Sequence, residues 1–395
     1  MTGWLGGRLI FAGVALLAAV PARAAPAGAA GTSPALAAAL QRWVRNDAAI
    51  TGRAYASAVA DANRLRAAIG RLLAAPTDST LGAARDAWRL SRLTYEPTEV
   101  FRFSDGPIDG ATALGGREGP ENRINAWPMD EAYLDSVAGS PRGGLIPQLS
   151  VPMDRALLEK SHGSADETEV TLGIHAIEFL LWGQDRDTVT AGQRPSTDFL
   201  PGDPVRERRR TCLGILADLL VEDLSAVSRE WQPGAGRYAA RFRQLPPREA
   251  LRRVLNGAAT LSGFELASER ISVPLATRSQ EDEQSCFSDN TVNDFASSIG
   301  GLGLVLEGDD DSSGLLELFR TLDPATASEL RERLDQVRER MLEVPAPFDA
   351  VILSSPGDPR RHRYEALAGE LIGLSGALRR AGARAGVTVT VGGGG

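Results

Sequence analysis

The chain has 395 residues, of which 43% are hydrophobic and 24% are charged, and its formal net charge at pH 7 is −8. This apolar content can form a core, and the 42 glycines follow no three-residue period, so disordered and collagen-like classes are excluded. A general nucleic-acid binder needs a basic face, and the acidic balance argues against that class.

Lysine occurs once, as Lys160, so arginine carries nearly all of the positive charge. A P-loop needs a Gly-Lys-Ser/Thr run, and a pyridoxal enzyme needs a Schiff-base lysine. Lys160 stands in Leu-Glu-Lys-Ser-His, which excludes P-loop NTPases and protein kinases and argues against pyridoxal chemistry. Cys212 and Cys286 form no C-x-x-C pattern, and the sequence does not settle whether they pair.

The first 24 residues have the order of charge, apolar run and small residues that is typical of a signal peptide. Arg8 precedes an apolar stretch too short to span a bilayer, and Ala22-Arg23-Ala24 is an A-x-A cleavage site. We predict cleavage near Ala24, a flexible lead over 25–34 and an exported protein of the periplasm or cell envelope. Later runs do not reach membrane-spanning length, so we do not expect an integral membrane protein after cleavage.

Helical periodicity dominates the rest of the chain, because apolar residues recur at three- and four-residue steps. Breaks rich in glycine and proline interrupt it over 104–144 and 192–204. We predict an all-α protein with an N-terminal helical bundle over 35–200 and a C-terminal one over 201–391. A weak similarity between the two halves of the sequence suggests a duplication. The predicted helices span Leu36–Ile50, Ala54–Leu73, Leu81–Arg92, Val205–Trp231, Pro247–Ile271, Ala325–Leu342 and His362–Ala381. Strand-like alternation is scarce, and its best candidate is Val387–Val391.

The strongest candidate site is the string Gly-Ile-His-Ala-Ile-Glu at 173–178, within an apolar run. His175 and Glu178 are three residues apart and share one face of a helix. Burying this ionisable pair is costly unless each group has a partner, such as a metal ion or an arginine. Imidazole with carboxylate suits iron, zinc or a similar divalent ion. A His–Glu hydrogen bond in a core, or an ion pair with arginine, is the alternative.

A second candidate lies on the predicted helix over 84–103. Arg92, Tyr95 and Glu99 share one side of it at three- and four-residue steps and could complete a site around His175. Salt bridges along the helix face are the alternative.

A third candidate is the acidic and amide-rich stretch over 280–294, which contains Asp289 and is preceded by Glu265. Its oxygen atoms suit hard cations, but loops and helix caps are rich in the same residues. A metallopeptidase of the H-E-x-x-H type is excluded, because no second histidine lies four residues from His175.

Together these strings resemble the imelysin family, which is also catalogued as a peptidase class named from an insulin-cleaving activity. The string at 173–178 fits the family's G-x-H-x-x-E motif. The other matches follow in family order over nearly all of the mature chain: Phe-Leu-Leu-Trp-Gly-Gln-Asp185, Glu99-Val-Phe-Arg-Phe, Gly106-Pro-Ile-Asp109, Asn125-Ala-Trp-Pro-Met-Asp-Glu131, Ser285-Cys-Phe-Ser-Asp-Asn-Thr291 and Pro347-Phe-Asp349.

The resemblance implies two halves like four-helix bundles, export, and association with iron uptake. It implies a metal site centred on His175 and Glu178, with Glu99 as the third ligand by similarity to related iron-uptake helical proteins. Where relatives are expected to have histidines in the acidic loop, this chain has Gln284 and Val292, which argues against a second, histidine-dependent metal site. The residues expected to orient the ligands or line the cleft are Arg92, Tyr95, Arg102, Asp130, Glu265 and Asp289.

We therefore expect a protein that binds a divalent metal, iron or alternatively zinc, without acting as a catalyst, and that meets an iron-transport or surface protein partner. One alternative is a zinc-dependent metallopeptidase, which needs an open metal position and a separate general base. Another is a module that binds a peptide or polysaccharide in the cleft between the halves, where the pair of His175 and Glu178 only holds helices together.

Overall fold

Long amphipathic helices make up most of the molecule. A computed structural model describes residues 34–110, 118–141, 143–234 and 237–392, so the predicted signal peptide and nearly all of the predicted lead lie outside the described residues. The prediction of an all-α protein is confirmed. The α-helices are α1 (Pro34–Ala74), α2 (Asp78–Tyr95), α3 (Glu121–Asn125), α4 (Glu131–Leu134), α5 (Arg155–Ser161), α6 (Gly173–Trp182), α7 (Pro204–Trp231), α8 (Arg237–Gln244), α9 (Pro247–Thr260), α10 (Val273–Thr277), α11 (Thr291–Leu306), α12 (Leu315–Leu322), α13 (Pro324–Met341), α14 (Asp349–Ile352) and α15 (Pro359–Arg384).

Shorter elements join these helices. A π-helical segment over Leu261–Ser272 joins α9 to α10 without a break, and such segments occur often at functional sites. Helices of the 3-10 type span Glu96–Phe101, Ser196–Phe199 and Gln280–Asp282. In the described residues the only paired strands are β1 (Gly308–Asp309) and β2 (Ser312–Ser313), which form a small antiparallel hairpin.

Helix starts follow the expected chemistry. At α13, the Asp323 side chain accepts a hydrogen bond from Ala325 N, and proline occupies the first turn. At α2, the helix begins earlier than predicted, because Thr77 and Thr80 form a reciprocal capping box. The two predicted helices at the start of the chain are one helix, α1, in which Gly52 lets the carbonyl of Trp231 approach to 3.0 Å from where a Cβ would be.

The buried apolar side chains form one connected cluster that extends from α1 to the end of the chain. Helix α1 packs against α2 and α7 and also contacts α8, α9 and α12. Helix α15 packs against α9, α13 and the π-helical segment. The first helix of the predicted N-terminal bundle thus contacts helices of the predicted C-terminal bundle. The division at residue 200 and the duplication stay predictions.

The prediction of a strand over Val387–Val391 is wrong. This segment runs back along α15, where Val389 is buried and its Cγ2 would be 2.4 Å from a Cβ on Gly382. It makes a side-chain contact, from Thr390 N to Asn256 Oδ1 at 3.1 Å, in place of a strand ladder. Cys212 and Cys286 are both buried and unpaired. Among the described residues, no helix combines the length and the apolar content that a bilayer crossing requires.

Candidate functional site

Helix α6 carries the G-x-H-x-x-E motif and is buried along its whole length. It starts at Gly173, whose φ of +89° is rarely adopted by residues with a side chain. A Cβ there would lie 2.6 Å from the carbonyl oxygen of Ile124, so glycine allows α6 to approach α3 this closely. Because every residue of α6 is buried, His175 and Glu178 must find partners for their polar atoms inside the protein.

His175 and Glu178 satisfy each other in part. His175 Nδ1 lies 2.8 Å from Glu178 Oε2, and Glu178 Oε1 accepts hydrogen bonds from Ser288 N at 3.0 Å and Ser288 Oγ at 2.6 Å. The other ring nitrogen, His175 Nε2, is buried and has no hydrogen-bond partner. The motif therefore presents one ring nitrogen whose orientation is fixed by a carboxylate, an arrangement common among metal-bound histidines.

The protonation of the pair follows from its burial. Burial, with the nearby charges of Arg92 and Arg270, holds the pKa of His175 well below its usual value, so the ring is neutral. Burial also raises the pKa of Glu178 to about 8, although hydrogen bonds from Ser288 and the charge of Arg92 oppose the rise. When Glu178 is ionised it accepts the Nδ1 hydrogen of His175, and Nε2 then carries a lone pair.

Arg92 lies at the centre of a second buried network. Its Nε and Nη2 donate to the two carboxylate oxygens of Asp294 at 3.1 and 3.0 Å, its Nη2 also donates to Glu96, and its Nη1 donates to Asn125 Oδ1 at 2.7 Å. All four side chains are buried. Arg92 therefore orients carboxylates, as the sequence suggested, but these belong to Glu96 and Asp294.

Glu99, the expected third ligand, is held by three donors. Tyr95 donates from its hydroxyl at 2.9 Å, Arg102 from Nη1 at 3.1 Å and Arg270 from Nη2 at 2.6 Å. Burial would raise the pKa of Glu99, but the charges of Arg102 and Arg270 outweigh it and lower the pKa to about 2. Glu99 makes its hydrogen bonds to Tyr95, Arg102 and Arg270, and His175 makes its own to Glu178, although the charge of Arg270 acts on both Glu99 and His175.

The π-helical segment brings Glu265 to the same network. Arg270 Nη2 lies 3.4 Å from Glu265 Oε2, and Arg270 Nη1 lies 3.4 Å from Glu96 Oε2. The guanidinium group of Arg270 is thus shared by three carboxylates, those of Glu96, Glu99 and Glu265. Arg102 contacts two further carboxylates besides Glu99, those of Glu121 at 3.0 Å and Asp109 at 3.4 Å.

The two remaining predicted residues lie elsewhere. Asp130 is exposed and caps α4 by accepting from Ala132 N at 3.0 Å. Asp289 lies two residues before the start of α11, and one of its carboxylate oxygens lies within 4.8 Å of oxygens from Asp185 and Asp349. In the part of the chain that the structure describes, these three aspartates form the only group of three or more potential metal ligands that close together.

Several residues of these networks are absent from the set that the sequence suggested. Ser288, which holds Glu178, and Asp294, which holds Arg92, both stand in the acidic stretch over 280–294, but spacing does not indicate what they contact. Arg270 stands five residues after Glu265, which is one of the residues that the sequence suggested. Asp185 and Asp349 end two of the strings that carry the family resemblance. The sequence therefore placed most of these residues in a motif, but it did not indicate which residue each of them contacts.

Comparison with known proteins places these features in a family. The model of the Imelysin family, peptidase class M75, matches residues 52–375. Iron-regulated protein A of Synechococcus elongatus is 27% identical over 316 residues, which cover 77% of this chain and 75% of that protein.

Solved structures show the same fold. A putative iron-regulated protein A precursor from Parabacteroides distasonis superposes with a TM-score of 0.67 at 18% identity, over 89% of this chain and 96% of that one. An imelysin-like protein from Psychrobacter arcticum superposes with a TM-score of 0.63 at 15% identity, over 90% of this chain and 98% of that one. The family match over most of the chain, with the G-x-H-x-x-E motif on a buried helix, shows that the protein belongs to the imelysin family.

Proposed function

We propose that the protein is an exported, non-catalytic metal-binding protein of iron uptake, with His175 as a ligand of iron. The observation that carries this proposal is the buried Nε2 of His175, which has no hydrogen-bond partner while the rest of the pair is fully engaged. The names of two relatives, both iron-regulated protein A, support the link to iron. The word precursor in one of those names and the N-terminal pattern of this chain support export.

The donor chemistry fits an iron or zinc ion in part. Imidazole and carboxylate groups both bind these metals, and Glu178 orients His175 as a carboxylate commonly does beside a metal. Glu99 would supply a carboxylate oxygen, but in this structure it is held by Arg270 and Arg102. We therefore propose His175 as the primary ligand and Glu99 as a ligand that must first give up a contact with Arg270.

Arg270 would then set the affinity of the site. Its positive charge lowers the pKa of His175, and by the same physics it opposes a cation at the ring. Its other neighbours, Glu96 and Glu265, lie at 3.4 Å and could retain the guanidinium when Glu99 turns to a metal. Binding of the metal would therefore require Arg270 to exchange Glu99 for its other carboxylate neighbours. A protein that docks near the π-helical segment would then influence metal binding through Arg270.

A catalytic step has no place in this proposal. A metallopeptidase needs a carboxylate that can take a proton from water. Both oxygens of Glu178 already accept hydrogen bonds, one from Ser288 and one from the imidazole when the carboxylate is ionised.

The test is calorimetry of chelator-treated protein with Fe(II) under anaerobic conditions, and with Zn(II). We expect His175→Ala to lose Fe(II) binding, and Glu99→Gln, which keeps the side-chain size, to weaken it. His362 is exposed, so His362→Ala is the matched control and should bind like the unaltered protein. Equal binding by the unaltered protein and His175→Ala would refute the site. Loss in His175→Ala with unchanged binding in Glu99→Gln would remove Glu99 from the ligand set.

A further inference from the structure

Three aspartates from distant parts of the chain converge at one point. Asp185 follows the end of α6, Asp289 lies two residues before the start of α11, and Asp349 is the first residue of α14. One carboxylate oxygen of each lies within 4.8 Å of the others. Two oxygens on opposite sides of a calcium ion, each at about 2.4 Å, are separated by roughly this distance. The spacing therefore suits a single shared cation.

Two of these carboxylates lack partners for buried oxygen atoms. Asp349 has 0% exposure, and although one of its oxygens accepts from Ala350 N at 2.7 Å, its Oδ2 has no hydrogen-bond partner. Asp289 Oδ1 is also buried without a partner. A buried carboxylate oxygen without a donor is unfavourable by several kcal/mol unless the group is protonated or meets a cation. The unpartnered atoms thus point to a ligand.

The charges that surround the cluster do not neutralise it. After burial, the strongest influences on Asp289 are the neighbouring carboxylates of Asp349, Asp185 and Asp187, and together they raise its pKa to about 7. The charge of Arg89 offsets this only weakly. For Asp349, burial and then the carboxylates of Asp185 and Asp187 raise the pKa to about 6, while a backbone hydrogen bond opposes the rise.

A fourth acid adds to the negative charge. Glu283 has 2% exposure, and its oxygens have no well-aligned hydrogen bond, although the nearby hydroxyl of Thr291 acts to lower its pKa. Burial raises its pKa well above the usual value, and the charges of Asp349, Asp289 and Glu178 raise it further. Glu283 therefore lies near Asp289 and Asp349 and also near the carboxylate of the G-x-H-x-x-E motif.

We propose that Asp185, Asp289 and Asp349 bind a hard divalent cation of the calcium class, at a site separate from His175. The three ligands offer oxygen atoms alone, which favours calcium over metals that prefer imidazole or thiolate. Asp185 also lines an open surface cleft of about 570 Å³, so an ion has a route from solvent. Gln280 Nε2 donates to Asp185 Oδ2 at 2.6 Å and helps to hold that carboxylate in place.

The cation would fasten the segments that build the G-x-H-x-x-E site. Asp185 stands three residues beyond the end of α6, and Asp289 is the neighbour of Ser288, which hydrogen-bonds Glu178. Asp289 itself has a φ of +54°, a left-handed conformation that aspartate tolerates better than most residues. A cation that joins these residues therefore restrains the Ser288 loop against α6 and stabilises the folded state by mass action.

The test uses CaCl₂ with chelator-treated, full-length mature protein, followed by calorimetry and by thermal unfolding. We expect one bound Ca²⁺ and a rise in Tm, with a loss of affinity of at least about tenfold in Asp289→Asn. The matched control is Asp187→Asn, which removes a nearby carboxylate outside the cluster and should keep affinity within about threefold. His175→Ala should still bind Ca²⁺, which separates this site from the proposed iron site.

Failure of the unaltered protein to bind Ca²⁺ at millimolar concentration would overturn the proposal. Equal affinities in Asp289→Asn and Asp187→Asn would also overturn it. If circular dichroism shows that Asp289→Asn does not fold, Asp185→Asn takes its place, because Asp185 is partly exposed and carries the cleft side of the cluster. Loss of Fe(II) binding in His175→Ala with Ca²⁺ binding intact would support both sites independently.

Discussion

Two clusters of buried charge lie close to the same motif and are built in opposite ways. Around Arg92 and Arg270, each cation meets two or three carboxylates, and nearly every oxygen has a donor. Around Asp289, carboxylates meet one another, and buried oxygens lack donors. In the first cluster the chain supplies the cations, which hold the carboxylates in place, although Arg270 Nε and Asn125 Nδ2 lack partners. In the second, only the charge of Arg89 opposes the repulsion among the carboxylates at Asp289, and we propose that a bound cation neutralises them.

The largest loss of stability is expected when the cluster around Arg92 and Arg270 loses one of its cations. Arg92→Ala leaves Glu96 and Asp294 buried without their cation, so we expect a loss of about 3–5 kcal/mol in the free energy of unfolding. Urea unfolding at pH 7 measures it. The control is Arg340→Ala, which removes an exposed ion pair with Glu343 and should change the free energy of unfolding far less than Arg92→Ala does. Similar losses in the two variants would show that burial of the pair does not matter.

A smaller effect on stability, which depends on pH, is expected from the cluster of Asp185, Asp289 and Asp349. The folded-state pKa of Asp289 is raised, so in chelator-treated protein the native state binds more protons than the unfolded state between about pH 4 and pH 7. The free energy of unfolding should fall across this window as pH rises. Asp289→Asn should make this fall less steep, so its stability relative to the unaltered protein should be greatest near pH 7.

Urea unfolding at several pH values measures the slope for both proteins. Asp187→Asn is again the control for removal of a nearby charge. An identical pH dependence of Asp289→Asn and the unaltered protein would contradict the interpretation that these carboxylates repel one another. Addition of CaCl₂ should reduce the slope in the unaltered protein, because a bound cation opposes protonation of its ligands.

The smallest loss of stability is expected at Ser288, which hydrogen-bonds Glu178 and is the neighbour of Asp289. Ser288→Ala removes the 2.6 Å hydrogen bond to Glu178 but keeps the bond from Ser288 N, so we expect a loss of about 1 kcal/mol. The change should also raise the pKa of Glu178 further, since the hydroxyl lowers it. Ser328→Ala is the control, because Ser328 is exposed on α13 and its hydroxyl donates a hydrogen bond to the carbonyl oxygen of Pro324 in the same helix. No difference between the two variants would place Ser288 outside the site.

Local features of the fold could be predicted because they depend on neighbours in sequence. The contact of His175 with Glu178 follows from their three-residue spacing along a helix. Where a prediction failed, a tertiary contact determined the local structure. Val387–Val391 is not a strand because Gly382 leaves room for Val389 against α15. Helix α1 continues through Gly52 because the end of α7 packs there.

By itself the sequence determined the helical class, the family through its ordered motifs, and the face that carries His175 and Glu178. Only the tertiary structure decided which charges are neutralised. Arg92 and Asp294 are 202 residues apart, and Arg270 and Glu99 are 171 apart, so no local pattern pairs them. The same holds for Asp185, Asp289 and Asp349, each at the boundary of a different helix. Buried charge is governed by what lies within a few ångströms in space, and chain spacing does not encode that for residues on separate helices.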